Sequence, residues 1–192
     1  AIGIGPGDSY FYVFRNSSTN KRANNVSGSN EWSENDLSSK PWSIQFDKKY
    51  GGPEKPVVTT ELKSWTLFAD SSVKYYSGTA TYSNTFEWNE DSNQKTATVQ
   101  LDSVYNIATV KVNGIDCGTL WTSFFSLDIT KALKKGTNTI EIEVANTWHN
   151  RLIGDNLLPQ EKRITFTTAP FRLSGKPLLP AGIVGKVKLI VR

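Results

Sequence analysis

Residues 136–144 read GTNTIEIEV, and this stretch decides the fold. Ile140, Ile142 and Val144 fall on one side of a period-two alternation, Glu141 and Glu143 on the other. Successive side chains of a strand point to opposite faces, so this alternation marks a half-buried strand. Gly136-Thr137-Asn138 supplies the turn that leads into it. Outward along the chain the pattern recurs. Val99 and Leu101 alternate with Thr98 and Gln100, and Val110 and Val112 with Thr109 and Lys111. Phe125, Leu127 and Ile129 alternate with Ser126 and Asp128. Ala80, Tyr82 and Phe86 share a face against Thr79, Thr81, Ser83 and Thr85, and Val187, Leu189 and Val191 close the series. Asn113-Gly114 is a tight-hairpin signal, because both residues tolerate positive φ. Only residues 130–135 (TKALKK) read as helical, for one or two turns. Many short strands separated by turn signals predict an all-β chain folded as a jelly-roll β-sandwich.

The first forty residues differ from the rest. Tyr10 to Phe14 (YFYVF) reads as a short strand, and residues 16–39 are dominated by Asn, Ser, Glu and Lys without periodicity. We expect residues 1–40 to be an N-terminal strand and polar linker, which could close a preceding domain, and residues 41–192 to form the sandwich. The chain holds no methionine, even at position 1, as expected of a piece of a longer or processed chain. No run of 18 apolar residues is present, so no membrane insertion is expected.

Charge narrows the partners. The net charge of +4 comes from 22 Lys and Arg against 18 Asp and Glu, scattered with no basic block beyond Lys134-Lys135. Nucleic-acid binding leaves a clustered basic footprint, so no nucleic-acid partner is expected. A single cysteine, Cys117, forbids an internal disulfide and a multi-thiolate metal site, and it reads as a small buried apolar residue.

Catalytic motifs are wanting. The only histidine is His149, and no Gly-x-Ser-x-Gly elbow exists to pair with it. Gly3, Gly5 and Gly7 precede a strand rather than joining strand to helix, so they fail as a phosphate loop. Glu141 and Glu143 lie about 7 Å apart on the polar face of one strand and read as a solvated sheet face. Asn89-Glu90-Asp91 reads as a wet hairpin tip. No cofactor is expected; a structural calcium is left open.

Several strings together resemble a known family. They include residues 41–47 (PWSIQFD) followed by Gly51-Gly52-Pro53, residues 74–86 (KYYSGTATYSNTF), residues 146–155 (NTWHNRLIGD) and residues 179–189 (LPAGIVGKVKL). The combination resembles the galactose-binding-like β-sandwich at the C-terminal end of bacterial glycoside hydrolases of the α-L-rhamnosidase type, family 106. It is also similar to the sugar-binding domain of family 2 β-glycosidases. The resemblance spans roughly residues 41–192. It implies a non-catalytic accessory module whose parent carries a separate catalytic barrel and is secreted, periplasmic or on the cell surface. The family's Ser-Gly-Leu-Leu-Gly-Pro string is replaced here by Pro180-Ala181-Gly182-Ile183-Val184-Gly185-Lys186, which leaves that loop without an assigned role.

A sugar site needs an aromatic plate for the C–H face of the ring and planar polar groups for its hydroxyls. Asn146, Trp148, His149, Asn150 and Arg151 form the richest such cluster; Trp65 and Tyr75-Tyr76, just outside the expected strands, are the next candidates, Trp65 and Tyr76 being the ones assigned to the site. Trp148 fits core or plate equally, whereas Trp42 and Trp121 read as core. Arg151 and Asp155, four residues apart, read as a pinning ion pair or as ligand contacts. Three readings follow: a module that binds an oligosaccharide or polysaccharide or positions it for a neighbouring catalytic domain, a purely structural domain packed on that neighbour, and an autonomous enzyme. The first is preferred. An exposed apolar patch would favour the second, and a concave aromatic site with converging free polar groups the first.

Overall fold

The computed structural model describes residues 32–91 and 95–192; the strand expected at Tyr10 to Phe14 lies outside them. Among the described residues ten strands build two antiparallel sheets, as the alternation predicts. In chain order they are β1 (Ser33–Asp36), β2 (Trp42–Phe46), β3 (Val57–Thr59), β4 (Thr79–Trp88), β5 (Ala97–Tyr105), β6 (Ile107–Val112), β7 (Ile115–Leu120), β8 (Ser126–Asp128), β9 (Gly136–Ala145) and β10 (Gly182–Val191). One sheet has the order β1-β10-β5-β8 and the other β3-β2-β4-β9-β6-β7. β9 lies inside the larger sheet between β4 and β6, with Ile142 opposite both Tyr82 and Val110.

The inward halves of the alternating strands meet between the sheets. Ile140, Ile142, Val144, Val99, Val110, Val187 and Leu189 are buried there. Toward the end of the sandwich where β9 finishes, Phe46, Trp65 and Tyr76 form a set of edge-to-face rings with centroids 4.9–5.6 Å apart. Trp42 joins this core, as expected. Trp121 does not. It is 73% exposed, because Leu120 takes the inward position and the next residue must face out. Cys117 is half-buried rather than buried.

Three further departures from the sequence reading concern local structure. The polar segment read as linker contains β1, whose four residues pair with β10 from Ser33↔Val191 to Asp36↔Lys188. Its side chains are mostly exposed, so main-chain pairing and not burial makes it a strand. Residues 130–135 give only one 3-10 turn, Thr130–Ala132, before β9 begins. The helices lie elsewhere, at α1 (Ser71–Lys74) and α2 (His149–Asn156).

Candidate functional site

α2 stands directly beyond the end of β9, over the ends of β2 and β4. Its first residue has no side-chain cap, since Trp148 occupies that position. What holds it is tertiary. The helix turns Asn150, Arg151, Gly154 and Asp155 inward, so its buried face is polar. Asn150 donates to the Leu179 carbonyl and accepts from the Leu179 amide, both at 2.8 Å, which pairs the helix to the incoming chain as a strand would. The Arg151 amide donates to Ser77 Oγ at 3.1 Å. Gly154 leaves no room for a Cβ against Tyr75.

Arg151 and Asp155 form a buried strut under this end of the molecule. The guanidinium donates to the Tyr50 carbonyl at 3.2 Å and approaches Asp155 Oδ1 at 3.7 Å, a coulombic contact too long for a hydrogen bond. Arg151 Nε and Asp155 Oδ1 have no hydrogen-bond partner. Asp155 Oδ2 accepts from the Ile164 amide, the Thr165 amide and Thr165 Oγ1 at 2.6–3.1 Å. The pair therefore ties the Tyr50 turn to the segment at 164–165. Burial lowers the Arg151 pKa, and the Asp155 charge opposes that shift.

Above the strut lies an open cleft of about 500 Å³ lined by Lys49, Tyr50, Trp148, Leu152, Ile164, Thr165 and Phe166. The Trp148 ring, 46% exposed, meets Tyr50 edge to face at 5.6 Å, and Phe166 is 88% exposed. Only Trp148 of these lining residues was expected from the sequence. The others come from segments distant in sequence, with Tyr50 carried by the turn before Gly51. That turn adopts φ +75° at Gly51, where a side chain would strike Ile164.

The remaining predicted residues divide cleanly. Trp65 and Tyr76 are fully buried and cannot meet a ligand in this conformation. Their polar atoms are used internally: Trp65 Nε1 donates to Tyr82 Oη at 2.6 Å, and Tyr76 Oη accepts from the Asp47 amide and donates to the Thr79 carbonyl. Asn146 accepts from the Gly78 amide and donates to the Tyr76 carbonyl. His149 Nε2 lies 3.0 Å from the Pro177 carbonyl. The segment 146–151 lies at the surface end of the sandwich, and the polar members of the cluster bond the protein's own backbone.

The wider end is apolar. Of fourteen exposed large apolar residues among the described residues, seven lie between 148 and 179: Trp148, Leu157, Leu158, Ile164, Phe166, Phe171 and Leu179. Glu143, on the sheet face, is bonded to Lys111 at 2.7 Å. Among the described residues no three His, Cys, Asp or Glu side chains come together as a metal site.

Comparison with known proteins gives this architecture a family. The family model described as glycosyl hydrolase 2 galactose-binding domain-like matches residues 61–171. A Formosa agariphila protein named "Putative beta-glucuronidase" is 42% identical over 120 residues, which are 62% of this chain and 10% of that protein. The structure of a rhamnosidase from Novosphingobium sp. PP1Y matches with a TM-score of 0.75 and 36% identity, over 90% of this chain and 16% of that one. A β-glucuronidase from Dictyoglomus thermophilum matches with a TM-score of 0.60 at 20% identity, over 85% of this chain and 28% of that one, a likeness of fold alone. The chain thus spans between a tenth and under a third of these proteins' lengths. It belongs to the glycosyl hydrolase 2 galactose-binding domain-like family.

Proposed function

We propose that this chain is a non-catalytic accessory module of a larger, secreted or periplasmic glycoside hydrolase of the rhamnosidase or glucuronidase type, and that its α2 end packs against a neighbouring domain. The observation that carries this reading is the pairing of exposed apolar side chains with spent polar ones. Trp148, Ile164 and Phe166 offer apolar surface, while Asn146 and Asn150 beneath them are bonded to backbone and Arg151 and Asp155 are sealed in the strut, away from solvent. A patch of this kind marks a protein contact more than a site for hydroxyl groups. Ile164 and Phe166 lie in residues 157–181, a long segment with one short 3-10 turn, Gln160–Lys162, and such segments in compact domains often carry function.

A sugar contact in the cleft is the second reading, supported by the half-exposed Trp148 ring set on edge to Tyr50, with the Lys49 side chain at the lip. Phe166→Asp and Leu157→Asp test the first reading. In the isolated chain both should leave the melting temperature almost unchanged, because both side chains already face solvent. In the larger enzyme each should lower it. Equal behaviour in both settings would refute docking at this end. Loss of glycan binding on Trp148→Ala alone would favour the second reading.

A further inference from the structure

The four-stranded sheet carries a depression of its own, toward the other end of the sandwich. Its solvent face follows from the register. Glu34, Ile190, Thr98 and Asp128 lie in one row, with Lys188, Gln100 and Ser126 in the next. Arg192 continues the face beyond Ile190, its main chain paired with Thr96 by hydrogen bonds of 2.9 and 3.0 Å. Trp32, just ahead of β1, is 63% exposed. Trp32 and Ile190 supply the apolar part of a hollow of about 330 Å³, and Thr98, Gln100, Ser126 and Arg192 supply its polar part.

This hollow differs from the α2 end in the state of its polar groups. Around α2 they bond the protein's own backbone. Here the side chains of Thr98, Gln100, Ser126 and Arg192 make no hydrogen bond or ion pair among the described residues. Glu34, at the rim, is held by Lys188 at 3.0 Å, so its charge is met. An exposed indole beside free amide, hydroxyl and guanidinium groups is the donor and acceptor set that a polyhydroxylated ring requires. A protein-docking face would centre on a larger apolar area, and only two side chains provide one here. The volume falls at the lower end of small-molecule pockets.

We infer that this face is a glycan-binding site for a short run of pyranose units. The Trp32 indole and Ile190 take the C–H face of a ring, and Gln100, Ser126, Thr98 and Arg192 bond its hydroxyls. From Gly182, near the α2 end, to Arg192 the β10 strand runs roughly 30 Å. A glycan held here leaves the α2 end free for a neighbouring domain, so the two proposals stand independently.

The test is titration of this chain, followed by NMR and calorimetry, with methyl glycosides and short oligosaccharides of L-rhamnose, D-galactose and D-glucuronic acid. The expected result is saturable binding of at least one probe, with shifts confined to residues 32–36, 98–100, 126–128 and 188–192. Trp32→Ala and Gln100→Ala should each weaken it at least five-fold while circular dichroism and melting stay unchanged. Trp148→Ala should leave it intact. Absence of saturable binding by every probe overturns the inference, as does unaltered affinity in Trp32→Ala. Shifts centred on Tyr50 and Trp148 would move the site to the cleft and also overturn it.

Discussion

Removing Asp155 should destabilise the protein more than any other single carboxylate change near α2. In Asp155→Ala the buried Arg151 guanidinium loses the anion at 3.7 Å, and the Ile164 and Thr165 amides lose their shared acceptor. Both partners are nearly sealed, with side-chain exposures of 6% and 4%, so solvent screening offers little relief. Breaking a buried pair by removing one partner costs about 3–5 kcal/mol. At about 2–4 °C per kcal/mol for a chain of this size, the melting temperature should fall by roughly 6–20 °C. Arg151→Met should cost a comparable amount by stranding the carboxylate. The double variant Arg151→Met, Asp155→Leu should cost clearly less than the two singles combined, because no unpaired charge is then buried. Chemical denaturation followed by circular dichroism, with a check that the slope m is unchanged, gives the three values. An Asp155→Ala cost below about 1 kcal/mol, or strict additivity in the cycle, would refute the strut.

Three other changes probe the core and the turns. Tyr82 Oη accepts from Trp65 Nε1 and the Ile183 amide, so Tyr82→Phe leaves two buried donors unpaired and should cost about 1–3 kcal/mol for each. Burial pushes the Tyr82 pKa up to about 12, whereas an unfolded chain releases that proton near 10. Its stabilising effect is thus complete below about pH 10 and is lost as pH rises through 12, by about 3 kcal/mol in all. The alkaline fall should be visible in urea titrations and reduced in Tyr82→Phe. Gly51→Ala forces a left-handed backbone on a β-carbon and drives it into Ile164, so melting should fall by several degrees. Gly182→Ala meets Trp65 and Tyr82 in the core at φ +88° and should prevent accumulation of folded protein. Near-native melting of Gly182→Ala would contradict the packing described.

The sandwich was legible in the sequence because its strands alternate: the inward positions of β9, β5 and β10 are all Ile, Val, Leu or Ala apart from Asn138 near the start of β9 and Gly182 at the start of β10. α2 was not, for a physical reason. Its buried positions are Asn150, Arg151, Gly154 and Asp155, so the helical periodicity is written in polar residues that bond backbone, where hydropathy carries no signal. β1 was missed because its side chains face water and main-chain pairing, not burial, defines it. Trp65 and Tyr76 sit outside strands, which suggested exposure, yet short turns fold both into the aromatic core. Trp121 erred in the opposite direction, although the buried Leu120 before it already pointed it outward. The Arg151–Asp155 spacing was readable as a pair, and its role in tying Tyr50 to residues 164–165 was not, since those residues meet only in the fold.

Side-chain footprinting of Phe166 bears most directly on the accessory role. Its ring is 88% exposed in this chain and should be oxidised readily. Within the larger glycoside hydrolase the same ring should be protected several-fold, with Leu157 and Trp148 following it. Equal labelling of Phe166 in both settings would contradict docking through α2.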